Sequence, residues 1–271
     1  MTYWLPLVRK YAHILDKGLQ RCDCAPGHST QIYQRAKEAL SHIPTAMLSQ
    51  DASLQWAAET ISCYEQLQTG CHATAPAPLT PTVCMPTTLL DAMVTRRSIR
   101  QYTDTPVSPE TVMRIAEVIN WVPTSCNRQP ARIFATVDPE LTRACASTCK
   151  GATCFTKPIP AFLAFCADIR AYTWPVEYGL PYVDVALGMQ NCCLMAHALG
   201  ASITLLSWAQ CSAEEERRLR ACLEIPDHYQ IIANGILGYP ARGVTTPARK
   251  SIDETCVIRG AEQAEAVEKV M

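Results

Sequence analysis

The chain has 271 residues, 48% of them apolar, with 24 basic against 25 acidic side chains and a formal net charge of −1. That apolar content suffices for one sizeable core with a smaller appendage. The near-neutral balance and the lack of a dense Lys/Arg stripe give no long-range field for nucleic acid or an acidic membrane surface, so small-molecule chemistry is favoured.

The first residues, Met1-Thr2-Tyr3-Trp4-Leu5-Pro6-Leu7-Val8, run directly into Arg9 and Lys10. That is not the basic-then-apolar order of a secretory leader, and cytoplasm is the expected location. Leu7, Tyr11, Ile14, Leu15 and Leu19 recur at helical spacing, as do Ile32, Tyr33, Ala36, Leu40 and Ile43, and then Leu54, Ala57, Ala58, Ile61, Tyr64 and Leu67. Three amphipathic helices are predicted within an N-terminal extension, residues 1–69. Gly18, Pro44 and Gly70 punctuate them, with Ser29 or Thr30 and Asp51 as expected N-caps. Residues 70–86 carry Pro76, Pro78, Pro81 and Pro86 among Ala and Thr; this stretch cannot hold a helix and reads as an extended linker to a main domain over 87–271.

The main domain opens with a helix that ends at Arg96-Arg97-Ser98-Ile99-Arg100. A second is announced by Ser108-Pro109-Glu110, which combines a cap, an N1 proline and an acidic first turn. Then comes Pro123-Thr124-Ser125-Cys126-Asn127-Arg128-Gln129-Pro130. Strands are predicted at 132–137, 161–167, 202–206 and 229–237, and helices at 140–149, 182–199 and 213–223. The fold class is α+β with about four strands. The most apolar helix carries Asp184, Gln190, Asn191 and His197 and is too short and polar to span a bilayer. Just before it, Tyr172, Trp174, Tyr178 and Tyr182 surround Pro175 and Gly179. These aromatics read either as a mobile lid over substrate or as a hydrophobic clamp on the start of the helix.

Fifteen cysteines is an odd count in a chain that already has an apolar core, and no CxxC occurs. Most are expected to be reduced core thiols. Neither Cys22, Cys24 and His28 nor Cys145, Cys149 and Cys154 supplies four ligands at a recognised spacing, so no metal site is expected. No GxGxxG follows a predicted strand, and the P-loop, HExxH and GxSxG signatures are missing. Redox chemistry on an organic cofactor survives this elimination.

The arginine run offers three guanidinium groups and a hydroxyl for a dianionic phosphate, and the 123–130 segment offers hydroxyls and amides. In order and spacing the two resemble the opening signatures of the FMN-dependent nitroreductase family, RRSxR-like and APSxxNxQPW-like. Tyr182-Val183-Asp184-Val185-Ala186-Leu187-Gly188-Met189-Gln190-Asn191, Gly238-Tyr239-Pro240 and Arg249-Lys250 extend the likeness over about 89–258. The resemblance implies a three-layer core, a mostly antiparallel sheet flanked by helices, and a homodimer with FMN at its interface. It places Arg96, Ser98 and Arg249 on the FMN phosphate, with Lys250 beside them and Arg97 along the ribityl-phosphate. Arg100 falls at the pyrimidine edge, where a cation within ~4 Å could favour reduction by up to about 4 kcal/mol. Pro123, Thr124, Ser125, Asn127 and Gln129 would approach from the partner subunit, and Leu205, Leu206 and Ser207 would present backbone groups near flavin N5.

The sequence departs from the family pattern at Ala131, at Gly200-Ala201-Ser202 and at Leu205-Leu206-Ser207-Trp208. His13-Ile14-Leu15-Asp16-Lys17-Gly18-Leu19 resembles an HxLEKGL-like run of nitroreductase-like proteins associated with polysaccharide biosynthesis. The implied activity is transfer of reducing equivalents from NAD(P)H, as co-substrate, to a quinone, flavin or nitroaromatic acceptor by a ping-pong cycle. The alternatives are a specialised flavin oxidase or flavin-modifying enzyme, or a flavin-binding partner protein.

Overall fold

The structure is a computed structural model and describes residues 3–19, 25–69, 86–152, 155, 159–241 and 256–258. The N-terminal part forms α1 (Trp4–Leu19), α2 (Thr30–Ser41), the single turn α3 (Thr45–Leu48) and α4 (Ala52–Gln68). Its core takes Leu7 and Leu15 of α1, Ala36 of α2 and Leu54, Ala57, Ile61 and Tyr64 of α4 from the stripes seen in the sequence, and adds Val8, Ala12 and Ala39, which those stripes do not include. Asp51 caps α4 as expected, accepting from the N–H groups of Ser53 (2.8 Å) and Leu54 (3.2 Å). Its other oxygen accepts from Arg9 Nη2 at 3.1 Å, tying α1 to the start of α4. Ser29 is not a side-chain cap. It sits at φ 54° with no cap bond, and Thr30 Oγ1 instead donates to Gly27 O.

Of the linker expected at 70–86, only Pro86 lies among the described residues, where it opens α5 (Pro86–Thr95). There follow α6 (Pro109–Glu117), β1 (Ala131–Thr136), α7 (Pro139–Ser147), β2 (Ala161–Asp168), α8 (Leu180–Ala198), β3 (Ser202–Leu206), α9 (Ala213–Leu223) and β4 (Tyr229–Gly238). The strands form one antiparallel sheet in the order β1-β2-β4-β3.

Every residue of β2 is buried, as a central strand covered on both faces must be. Ala161, Leu163, Phe165 and Ala167 face a core shared with α6 and α8, whereas Phe162, Ala164 and Cys166 face one shared with α7 and α9. The result is three layers. Gly188 permits the close seat of α8: a Cβ there would lie 2.7 Å from the carbonyl oxygen of Ile119. The thiols of Cys145, Cys149, Cys166, Cys192 and Cys193 are buried and unbridged. Among the described residues, no helix is long and apolar enough to cross a membrane.

Candidate functional site

The arginine run leaves α5 as extended backbone laid beside the edge strand β3. Two strand hydroxyls with side chains on the same face, Ser202 and Thr204, donate to the carbonyls of Arg97 (2.9 Å) and Ile99 (2.5 Å). Just downstream, Thr103 N–H donates to Tyr239 O and Ala241 N–H to Gln101 O, while Tyr102 O–H reaches Ile236 O at 3.1 Å. Burial pushes the Tyr102 phenol up to about 12, so it stays a donor. The segment is thus fixed largely through its main chain, and Arg96 and Arg100 take no part in that bracing.

Arg96 is half-buried and Arg100 exposed, and among the described residues neither has an ion-pair partner. Arg97 turns back on α5, its Nη1 donating to Val94 O (2.6 Å) and Arg96 O (2.8 Å), as a cation at a helix C-terminus does. Ser98 is half-buried between them. Leu205 is 41% exposed, Leu206 is buried, and Ser207 follows the end of β3, so these three lie on the same edge as the arginine segment. Arg249 and Lys250 lie outside the described residues.

The second motif is a tight loop. Thr124 is extended, and a single turn covers Ser125–Asn127. Cys126, Asn127 and Gln129 take φ of 52°, 51° and 50° without a glycine among them. Each such residue costs on the order of 1 kcal/mol or more, so the surroundings must hold it. Inside the loop, Gln129 N–H donates to Thr124 Oγ1 and Gln129 Nε2 to Asn127 Oδ1. From outside, buried Asp184 on α8 accepts at Oδ1 from Ser125 N–H (2.8 Å) and Ser125 Oγ (2.9 Å), and at Oδ2 from Tyr172 O–H (2.7 Å).

Arg128, with 1% of its side chain exposed, forms the other brace. Its Nη2 pairs with Glu177, its Nη1 reaches Ser125 O at 3.4 Å, and its guanidinium lies 5.2 Å from the centre of the Tyr172 ring. The second Glu177 oxygen accepts from the N–H groups of Thr173 (2.8 Å) and Trp174 (3.1 Å). Burial opposes the charge on Glu177, but these two N–H groups together with Arg128 and Lys10 more than offset it and hold the carboxyl below its usual range. Tyr172 is pushed upward by burial and by its bond to Asp184.

Of the four aromatics singled out, Tyr172 is therefore tied to α8, and Tyr182 accepts from Gln230 Nε2 at 2.8 Å. Trp174 and Tyr178 are exposed, at 62% and 82%. The two motifs are tied to α8 at separate points, the loop near its start and the residue before the arginine run near its end. Ser125 binds Asp184, whereas Thr95 Oγ1 is hydrogen-bonded to His197 Nε2 at 2.9 Å. The intervening helix spans roughly 20 Å.

The nitroreductase family model matches residues 93–153, a stretch that contains both motifs. An Archaeoglobus fulgidus protein provisionally named NADH dehydrogenase/NAD(P)H nitroreductase is 30% identical over 156 residues, covering 56% of this chain and 84% of its own length. The chain belongs to the nitroreductase family. A Bacillus subtilis relative named FMN reductase [NAD(P)H] is 25% identical over 168 residues, covering 56% of this chain and 66% of itself. Among solved structures, a Desulfovibrio desulfuricans protein described as a nitroreductase in complex with FMN superposes with a TM-score of 0.55 at 24% identity, over 66% of this chain and 100% of its own. The three-layer core is thus the nitroreductase fold.

Four residues that brace the Thr124–Gln129 loop are not singled out for that role by the sequence: Lys10, Arg128, Glu177 and Asp184. An arginine in a polar loop reads as solvated, and only the apolar stripe around Asp184 hinted that a carboxylate there would be buried and hence bonded.

Proposed function

We propose that the protein is an FMN-dependent oxidoreductase that takes reducing equivalents from NAD(P)H and passes them, by a ping-pong cycle, to a small quinone, flavin or nitroaromatic acceptor. The observation that carries this reading is the arginine segment: a main chain fixed to β3, with Arg96 and Arg100 unpaired by carboxylates among the described residues. A buried dianion needs fixed donors of this kind, and two guanidinium groups on a braced backbone fit a cofactor phosphate and an electron-rich ring edge. FMN, when bound, supplies the hydride-accepting ring. Arg96, with Ser98 and Arg249, would hold its phosphate, Arg100 its pyrimidine edge, and the backbone of Leu205, Leu206 and Ser207 the region of N5. The names of the Archaeoglobus and Bacillus relatives support the nicotinamide and flavin chemistry.

The flavin site is completed by a second copy of the chain. The roughly 20 Å of α8 between the points that anchor Ser125 and Thr95 favours a partner's Thr124–Gln129 loop over the chain's own. A surface for that partner exists: α8 exposes Val183 and Leu187, and α5 beside it exposes Leu89, Leu90, Met93 and Val94. Light scattering with flavin quantitation should give a dimer carrying two FMN; a stable FMN-loaded monomer would contradict it.

Anaerobic NADPH or NADH should bleach the visible flavin band of the purified protein, and a quinone should restore it. Tight FMN that neither nicotinamide bleaches would favour a flavin-binding partner protein instead. Arg96→Ala should weaken FMN binding by about 1.5–3 kcal/mol, ten- to a hundredfold, while leaving riboflavin affinity unchanged. An unaltered FMN titration of this variant would remove the phosphate assignment.

A further inference from the structure

The N-terminal helices do more than pack on themselves: α1 lies against the Ser125–Asn127 loop and the short turn Ile169–Ala171. At that contact stands Lys10, only 6% exposed. Its Nζ donates to Thr173 Oγ1 at 3.1 Å and lies 4.0 Å from Glu177 Oε1, the same oxygen that pairs with Arg128. We propose that Lys10 is a positioning residue for the flavin-contact loop, acting from the N-terminal helices through Glu177 and Arg128. This rests on the reading of residues 123–129 as a flavin contact.

Docking alone would be served better by an apolar side chain, since burying an ammonium costs solvation that one shared carboxylate returns only in good geometry. What a lysine adds is direction. Glu177 is fully committed, one oxygen to Lys10 and Arg128 and the other to the N–H groups of Thr173 and Trp174. Its placement fixes Arg128, and Arg128 Nη1 points at Ser125 O, at the start of the three positive-φ residues. Burial and repulsion from Arg128 lower the Lys10 pKa, and Glu177 opposes them, as expected for a cation held in this cluster. The N-terminal helices thus reach the loop through an unbroken chain of charged contacts.

The test uses the full-length protein titrated with FMN and followed by the visible circular dichroism of the bound flavin. Lys10→Met should raise the FMN Kd about tenfold and alter the flavin dichroic band, and Lys10→Arg should recover most of both. A purely structural role would lower thermal stability without changing the bound-flavin spectrum. Wild-type affinity and spectrum in Lys10→Met, with Arg96→Ala still impaired, would overturn the inference while sparing the flavin site. If the wild type takes up no FMN, both readings fall. Should Lys10→Met not fold, Glu177→Gln carries the test from the other end of the bridge: a tenfold weaker, spectrally altered complex supports the inference and an unchanged one overturns it.

Discussion

Arg128→Met should destabilise the protein by about 3 kcal/mol at neutral pH, near the lower end of the range for breaking a buried ion pair from one side. The guanidinium is almost wholly buried, pairs with Glu177 and lies over the Tyr172 ring. Methionine fills much of the volume but leaves Glu177, among the described residues, with only Lys10 as a counter-charge, at 4.0 Å. Because 16% of the Glu177 side chain is exposed, water softens the loss. Acidity supplies a second readout. Glu177 has a depressed folded pKa, so its stabilisation is present above its unfolded value of about 4.3 and is lost as pH falls through the folded value. The wild-type and variant stability curves should therefore converge below about pH 4. Urea unfolding at several pH values measures both effects; a constant gap down to pH 3 would show that the Arg128–Glu177 charge pair is not the cause.

Asp184→Ala should cost a similar amount, about 3 kcal/mol, for a different reason. Three donors lose one acceptor group: Ser125 N–H, Ser125 Oγ and Tyr172 O–H. Each bond to a charged group is worth about 1.5–3 kcal/mol, against which stands the relief of removing a buried carboxylate. Asp184→Asn separates these contributions. The amide oxygen can still accept from Ser125, and the Tyr172 hydroxyl can rotate to accept from the amide nitrogen, so the expected loss is about 1 kcal/mol. Equal losses for Ala and Asn in urea unfolding would mean that charge, not hydrogen bonding, holds the loop to α8.

Much of the architecture was legible because local physics and tertiary structure agree. The β3 and α9 spans coincide with the predicted ranges 202–206 and 213–223. Ser108, Pro109 and Glu110 open α6 by the expected cap, proline and first-turn charge. Asp51 caps α4 for the same short-range reason, whereas Ser29, a residue type that suits the same role, takes a left-handed conformation in which its side chain makes no cap. Motif order located the arginine segment and the loop, yet it could not show that Arg97 caps α5 or that Cys126, Asn127 and Gln129 are left-handed without glycine. Least legible was the Lys10, Arg128, Glu177 cluster. Lys10 and Thr173 are 163 positions apart in the chain, and nothing in either neighbourhood marks the other.

The hydroxyls that hold the carbonyls of Arg97 and Ile99 also come from far along the chain, 105 residues later in each case. At a synthesis rate of about 5–20 residues per second, the arginine segment is made roughly 5–20 s before the strand that fixes it. Closing so long a loop adds only a logarithmic entropy cost, but it sets an order of events in which α5 and α6 can form early and the arginines take their final course late. A nascent chain halted before Ser202 carries both opening motifs and still lacks the strand that holds the arginines. On the proposed role of the arginine segment, cofactor capture has to wait until Ser202 and Thr204 have been made and paired with it.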